Sequence, residues 1–156
     1  MTDVRAERFA ARLAERGIHI DYREMDDSTH TAQQAADALG CGVEAIVKSL
    51  LFLAGDAADP VLVLASGSNR VEPEFVEAVV GHSVVIADAK AVKRVTGSSI
   101  GGVPPIGHPE PIRTVMDETL LDLPIVWAAA ASQHAVFGVE PALLAAYAEA
   151  TVARVS

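Results

Sequence analysis

Two apolar segments decide the fold that this sequence predicts: Lys48-Ser49-Leu50-Leu51-Phe52-Leu53 and Val61-Leu62-Val63-Leu64-Ala65. The residues between them, which include Ala54-Gly55-Asp56 and Pro60, are typical of a turn, so the two segments are expected to pair as a β-hairpin. Both segments are apolar without alternation, which indicates strands that are covered on both faces. We therefore expect the hairpin to be buried in the interior of the protein.

Helices and shorter strands surround this hairpin in an irregular order. Apolar spacing and capping residues predict helices over 4–16, 31–39, 73–80, 89–96 and 141–150. Further strands are expected over 18–22, 84–87, 112–116, 124–131 and 135–139. Because no strand–helix–strand unit repeats, the order favours the α+β class, with a single domain over 1–156 and a curved mixed β-sheet flanked by helices.

The composition favours a cytoplasmic protein without a membrane-spanning segment. Hydrophobic residues make up 51% of the 156 residues and the mean hydropathy is +0.30, but no apolar run approaches the ~20 residues that cross a bilayer. The N-terminal residues are charged and lack the apolar core of a secretion signal. The single cysteine, Cys41, cannot form an internal disulfide, which agrees with a reducing compartment.

The charge limits how the protein can bind nucleic acid. The formal net charge is −9 and the sequence pI is about 4.9. This argues against binding along a stretch of nucleic-acid backbone, because such binding depends on lysine and arginine contacts with phosphates. Aromatic residues make up only 4% of the chain, so a base-stacking platform is not expected. Recognition of one or two terminal nucleotides is still compatible with this composition.

A second stretch, Gly97-Ser98-Ser99-Ile100-Gly101-Gly102-Val103-Pro104-Pro105-Ile106-Gly107-His108, is rich in glycine and proline and almost uncharged. Glycine lets a ligand approach the backbone, and proline fixes the backbone conformation. The stretch therefore predicts a loop of preset shape whose free N–H groups can point at a ligand. On composition alone, an ordinary surface connection is an equal alternative.

Lys48 is the sharpest indication of a functional site. On a strand it shares its face with Leu50 and Phe52, so its ammonium group starts in an apolar neighbourhood. Burying an ammonium without a partner is costly. Either the aliphatic stem reaches the edge of the sheet, or the amine faces a polar pocket. In a pocket it would meet an oxygen of a ligand or act as a base.

Other reactive side chains give weaker indications. His30, His108 and His134 could together hold a metal ion, but no histidine pair has the helical i, i+4 spacing of a zinc site and the chain has no CxxC motif. The serines lack a GxSxG nucleophile elbow. Asp117 and Glu118 follow a predicted strand and form either a carboxylate pair or a solvated turn. No metal and no other cofactor is expected.

Two motifs resemble those of the YbaK/EbsC family, also called prolyl-tRNA-synthetase-associated editing domains. One is Ile46-Val47-Lys48-Ser49-Leu50, preceded by Thr31-Ala32-Gln33-Gln34-Ala35-Ala36. The other is Gly101-Gly102-Val103-Pro104-Pro105-Ile106-Gly107-His108, which matches the family's GxxxP loop with Gly101 and Pro105 at the defining positions. The resemblance covers nearly the whole chain, and the motifs occur in the order that is usual in the family.

This resemblance implies a fold and an activity. The implied fold is a curved mixed sheet flanked by helices, and the implied reaction is hydrolysis of the ester that joins a wrong amino acid to the 3′ end of a tRNA. The substrate would be of the Cys- or Ala-tRNA(Pro) type. The protein would be the free-standing, trans-acting kind, with the aminoacyl-tRNA 3′ end as its partner and a prolyl-tRNA synthetase as an assisting one. The resemblance implies no cofactor and no membrane.

The resemblance also implies roles for individual residues. Lys48 anchors the substrate or polarises a water molecule, and the amides of Gly101 and Gly102 position the ester carbonyl and stabilise the developing oxyanion. The positions implied to bind substrate are Tyr22, His30, Pro105, His108 and Ser132. Two other readings stay open: a non-catalytic module that binds a small ligand, nucleotide or protein, which the acidic pI favours, and a histidine-dependent metallohydrolase.

Overall fold

The fold is taken from a computed structural model that describes residues 3–26 and 31–156. Its helices are α1 (Val4–Glu15), α2 (Ala32–Leu39), α3 (Pro73–Val80), α4 (Ala89–Thr96) and α5 (Pro141–Ala148). Its strands are β1 (Tyr22–Glu24), β2 (Val47–Ala54), β3 (Asp59–Ser66), β4 (Val84–Ile86), β5 (Arg113–Asp117), β6 (Val126–Ser132), β7 (Ala135–Val139) and β8 (Thr151–Ala153). Two short 3₁₀ turns cover Val43–Ala45 and Glu118–Asp122.

The predicted hairpin is confirmed and forms the centre of a five-stranded sheet. Strands β2 and β3 pair antiparallel, with Lys48 opposite Ala65. The strand order is β4-β2-β3-β5-β8, and the β3–β5 and β5–β8 pairs are parallel. Leu62 and Val63 point to opposite faces of β3, and both are fully buried. Each belongs to a different apolar cluster, so the sheet is covered on both faces, as the sequence predicted.

A second, antiparallel sheet has the order β1-β7-β6. Helix α1 packs on this sheet through Phe9 and Leu13, and the ring of Phe9 lies 5.7 Å from the ring of Phe137. An isolated parallel bridge between Ile46 and Trp127 links the two sheets next to the start of β2. The α+β class and the mixed pairing are confirmed, while the strands divide between two sheets. No helix in the described part of the chain combines the length and apolar character that a bilayer crossing requires.

Local sequence signals located most of the helix ends. Thr31 forms the predicted capping box with Gln34, and Asp88 caps α4. The prediction differed where pairing decides the structure. The strand expected over 18–22 begins only at Tyr22, because the chain before it packs its isoleucines against the core without a partner strand. Strand β8 was not predicted, since three residues carry too short a pattern to show period-2 alternation.

Candidate active site

A cavity of about 310 Å³ lies where the start of β2 meets the glycine-rich loop. Lys48 and Gly101 both line it, so the structure brings these two predicted site residues together. The rest of the wall is largely apolar and includes Met25, Ile46, Leu50, Trp127, Ala129 and Val136. Ser49 also lines the cavity, and its buried hydroxyl has no hydrogen-bond partner among the described residues. A ligand in this cavity would therefore meet an apolar wall with a few polar groups.

Lys48 is half buried, and its ammonium group is held in place. Its Nζ donates to the carbonyl oxygen of Asn69 at 2.5 Å. An ammonium has three N–H donors, so this contact leaves two for a ligand. Burial lowers the pKa of Lys48, and the nearby charge of Asp117 acts in the opposite direction. Lys48 thus lines the cavity, and its ammonium is held at the Asn69 carbonyl.

Asn69, whose carbonyl binds the ammonium of Lys48, is held in place by the buried carboxylate of Asp117. The side-chain amide of Asn69 donates to Asp117 Oδ2 and to Thr119 Oγ1, each at 3.0 Å. The amide N–H of Ser66 donates to the same Asp117 oxygen at 3.0 Å, and Thr119 N–H donates to Asp117 Oδ1 at 3.0 Å. Asp117 is 1% exposed, so it is not a solvated turn residue, whereas the neighbouring Glu118 is exposed. Asn69 was not singled out from the sequence, because its role depends on Asp117, 48 residues away.

The loop is clamped against the β6–β7 turn. Gly101 has φ +89°, a conformation that favours glycine. A Cβ on Gly102 would lie 3.0 Å from both the amide nitrogen of Gln133 and the carbonyl carbon of Ser132, so only glycine lets the backbones come this close. The side-chain amide of Gln133 donates to the carbonyl oxygen of Ile100 at 2.7 Å. The N–H of Gly102 donates to the carbonyl oxygen of Ser99 at 2.9 Å, which leaves Gly101 as the better-placed amide for a ligand.

Ser132 supports this site from behind and does not line the cavity. Its hydroxyl is buried and donates to Asp3 Oδ2 at 2.5 Å, while it accepts from the N–H of His134 at 3.1 Å. Asp3 also caps α1 by accepting from the amides of Arg5 and Ala6. Ser132 thus ties the start of α1 to the turn that clamps the loop.

The remaining predicted site residues lie elsewhere. Pro105 and His108 line a different cavity, of about 470 Å³, together with Arg16 and Tyr147. His108 is 9% exposed, and burial lowers its pKa to about 4. The carbonyl of Pro104 opposes this shift without reaching hydrogen-bond geometry.

The last two predicted positions are Tyr22 and His30. Tyr22 lies in β1 opposite Phe137 and is not part of the Lys48 cavity wall. His30 lies outside the described residues. Within 3–26 and 31–156, no group of three or more histidine, cysteine, aspartate or glutamate side chains is placed to hold a metal ion.

Comparison with known proteins identifies the family. Residues 26–147 match the aminoacyl-tRNA editing domain family. The chain belongs to this family. The predicted enzyme class, an aminoacyl-tRNA deacylase and therefore a hydrolase, is confirmed, and tRNA carrying an amino acid is its substrate. The YbaK-like resemblance and the fold that it implied are confirmed as well.

Individual relatives are similar over much of the chain. A solved structure described as a candidate trans-editing enzyme for prolyl-tRNA synthetase is 39% identical, with a TM-score of 0.94 over 100% of this chain and 99% of that one. The uncharacterized protein YwhH of Bacillus subtilis is 27% identical over 78% of this chain and 76% of its own length. A proline–tRNA ligase of Limosilactobacillus fermentum is 32% identical over 63% of this chain, and that match spans only 18% of the ligase.

Proposed function

We propose that this protein is a trans-acting editing enzyme that hydrolyses Cys- or Ala-tRNA(Pro)-type esters, with the aminoacyl end of the tRNA bound in the Lys48 cavity. The observation that carries the proposal is that Lys48 and Gly101 line one cavity of about 310 Å³. The apolar wall near Ala129 and Val136 suits a small side chain. A water molecule attacks the ester carbonyl, the bond from that carbon to the ribose oxygen breaks, and this oxygen takes up a proton.

Lys48 and the amide of Gly101 have different roles in this reaction. The two free N–H donors of Lys48 hold oxygens of the terminal nucleotide or of the ester, and the amide of Gly101 faces the carbonyl oxygen as negative charge develops on it. One such donor typically contributes about 2.7–4 kcal/mol to lowering the barrier. An aminoacyl ester is already activated, so positioning supplies much of the remaining rate enhancement.

Lys48 acts as an anchor in this proposal, not as a base. Its Nζ is bound to the Asn69 carbonyl, and the charge of Asp117 favours the protonated form. An anchoring ammonium loses its function as the pH rises toward its pKa, which burial sets below that of an ordinary lysine. The catalysed rate, corrected for spontaneous hydrolysis, should then fall at alkaline pH. A rate that rises with pH through this range would instead assign Lys48 as a base.

The decisive experiment is a deacylation panel with alanyl-, cysteinyl-, seryl- and prolyl-tRNA. We expect the wild type to hydrolyse one or more of the first two, and Lys48→Ala to lose about 100-fold or more in kcat/KM with an unchanged unfolding midpoint. Lys48→Arg is the matched control, because it keeps the charge but changes the donor geometry. Full activity of Lys48→Ala would reject this mechanism. No hydrolysis of any substrate, together with measurable binding of a small ligand, would favour a non-catalytic binding module.

The family relationship supports three further parts of the proposal. Proline–tRNA ligases carry the matching region within much longer chains, so we include a prolyl-tRNA synthetase as an assisting partner. A protein that corrects aminoacyl-tRNA would work in the cytoplasm. The high structural similarity over the whole length supports residues 1–156 as one editing domain.

A further inference from the structure

Helix α1 carries a concentration of positive charge that is unusual for this chain. The protein has a net charge of −9, yet four of its 12 lysine and arginine residues lie on this helix and its C-terminal cap residue, Arg16. They are Arg5, Arg8, Arg12 and Arg16, and all four are exposed. Their spacing of three or four residues places them within one arc of about 80° on the helix surface. We call this surface the arginine flank.

The arginine flank borders the buried side of α1. Ala6, Phe9 and Leu13 form that buried side, and the guanidinium of Arg12 lies 5.9 Å from the centre of the Phe9 ring. Of the acidic residues on the helix, Glu15 borders the flank, while Glu7 lies on the far side by the same helical geometry. The flank is therefore a nearly continuous row of guanidinium groups about 17 Å long, counted at 1.5 Å per residue.

Helix α1 runs alongside the glycine-rich loop that lines the Lys48 cavity. At its N-terminal end, Asp3 is bonded to Ser132, directly behind Gly102. Farther along the helix, a Cβ on Gly107 would lie 3.0 Å from side-chain atoms of both Phe9 and Leu13. The helix thus begins beside the proposed active site and leads away from it along the loop.

The C-terminal end of the arginine flank faces a second cavity. Arg16 lines the cavity of about 470 Å³ that also contains Pro105 and His108. After burial, the charges of Arg12 and Arg16 are further causes of the lowered pKa of His108, so both guanidinium groups are close enough to act on the loop. The flank and the 101–108 loop therefore belong to one surface.

We propose that the arginine flank, with the cavity at its C-terminal end, binds the sugar–phosphate backbone of the tRNA acceptor arm while the aminoacyl end occupies the Lys48 cavity. This inference rests on the proposed function for the placement of the aminoacyl end. Guanidinium groups pair well with phosphate oxygens. Double-helical RNA is bound mainly through its backbone, which fixes position without reading sequence. A local basic row explains how an acidic protein holds a polyanion.

The test compares two triple variants that remove the same charge. Arg8→Gln/Arg12→Gln/Arg16→Gln alters the arginine flank, and Lys90→Gln/Arg94→Gln/Arg154→Gln alters exposed cations on α4 and at the C-terminal end. Binding of uncharged tRNA is measured by fluorescence anisotropy over a salt series. For the flank variant we expect affinity to fall at least about tenfold at ~0.1 M salt, and the slope of log K against log salt to decrease by about 2–3. The control variant should keep both values near those of the wild type.

Three further measurements separate docking from catalysis and folding. Hydrolysis of an aminoacyl ester of adenosine, which lacks the acceptor arm, should be unchanged in the flank variant. Arg8→Lys/Arg12→Lys/Arg16→Lys should restore most of the salt slope, because the charge returns. An unfolding midpoint close to that of the wild type shows that α1 is intact.

Different results would overturn the docking surface and the proposed deacylase function. A wild-type salt slope in the flank variant, an equal loss in the control variant, or a parallel loss on the adenosine ester would overturn the docking surface. If Lys48→Ala keeps full deacylation, the proposed function fails, but the binding of uncharged tRNA still decides the role of the arginine flank because it requires no hydrolysis.

Discussion

The loop over 101–108 contributes to two cavities, and the titratable residue in one has a hydrogen-bond partner while that in the other has none among the described residues. On one side, Lys48 is half buried and bonded to a carbonyl that a buried network fixes in place. On the other side, His108 is buried without a hydrogen bond to either ring nitrogen among the described residues. A cation with a fixed hydrogen-bond partner keeps further donors that can bind a ligand, whereas burial without a hydrogen bond holds a histidine neutral. The difference agrees with the proposal that the reaction takes place in the Lys48 cavity, while the His108 cavity serves packing or docking.

The largest effect that we expect is a dependence of the folding stability on pH, caused by His108 in the second cavity. The pKa of His108 is lowered by burial from its ordinary 6.5 to about 4, so between these values the unfolded chain binds the proton more readily than the folded one. The stability is therefore full above pH 6.5 and is lost as the pH falls toward 4, by about 3 kcal/mol. Denaturant unfolding of the wild type and of His108→Met at pH 7 and pH 4 measures this loss.

The methionine variant is the matched control, because it fills the buried space without a titrating group. It should lack this part of the acid destabilisation and be as stable as the wild type or more so at neutral pH, since no hydrogen bond is lost. Deacylation by His108→Met should stay within about threefold of the wild type. A large loss of activity would place His108 in the chemistry and would remove the contrast between the cavities.

The sequence located Lys48 because a charge inside an apolar strand is visible without any structure. The hairpin and the capping residues were visible for the same reason, since each depends on neighbours within a few positions. The support of Lys48 was not visible, because the Ser66–Asp117 contact joins residues 51 positions apart. Pro105 and His108 follow Gly101 closely in sequence but line the other cavity. Sequence adjacency therefore grouped residues that the fold separates.

The network behind Lys48 gives the next largest expected effect. Asp117 offers only acceptors to three donors, so Asp117→Asn places an amide N–H₂ where an oxygen is needed and should cost about 1–3 kcal/mol of stability. The same change removes the charge that raises the pKa of Lys48, so the alkaline fall in deacylation should move to lower pH. The pH–rate profile of the variant, measured with the best substrate of the panel, checks this shift.

A structural defect alone would lower the activity without moving the profile. Thr114→Val provides a comparison within the same strand, because it removes a buried hydroxyl whose hydrogen bond to the Ile112 carbonyl is local. It should lower stability by about 1 kcal/mol and leave the pH–rate profile in place. An unshifted profile in Asp117→Asn would show that Lys48 does not depend on this carboxylate.

The last comparison distinguishes the two ends of the loop through its glycines. In Gly102→Ala the new methyl group meets the backbone of Ser132 and Gln133 at 3.0 Å, which forces the loop to move by a few tenths of an ångström. We expect a stability loss of about 1 kcal/mol but a deacylation rate at least about tenfold lower, because the amide of Gly101 moves with the loop.

In Gly107→Ala the methyl group meets Phe9 and Leu13, and the left-handed backbone adds strain. That variant should lose about 1–3 kcal/mol of stability while each folded molecule keeps its activity. Unfolding curves and initial rates on the same preparations separate the two readouts, and equal losses of rate in both variants would mean that the loop moves as one rigid unit, with no division between the cavities.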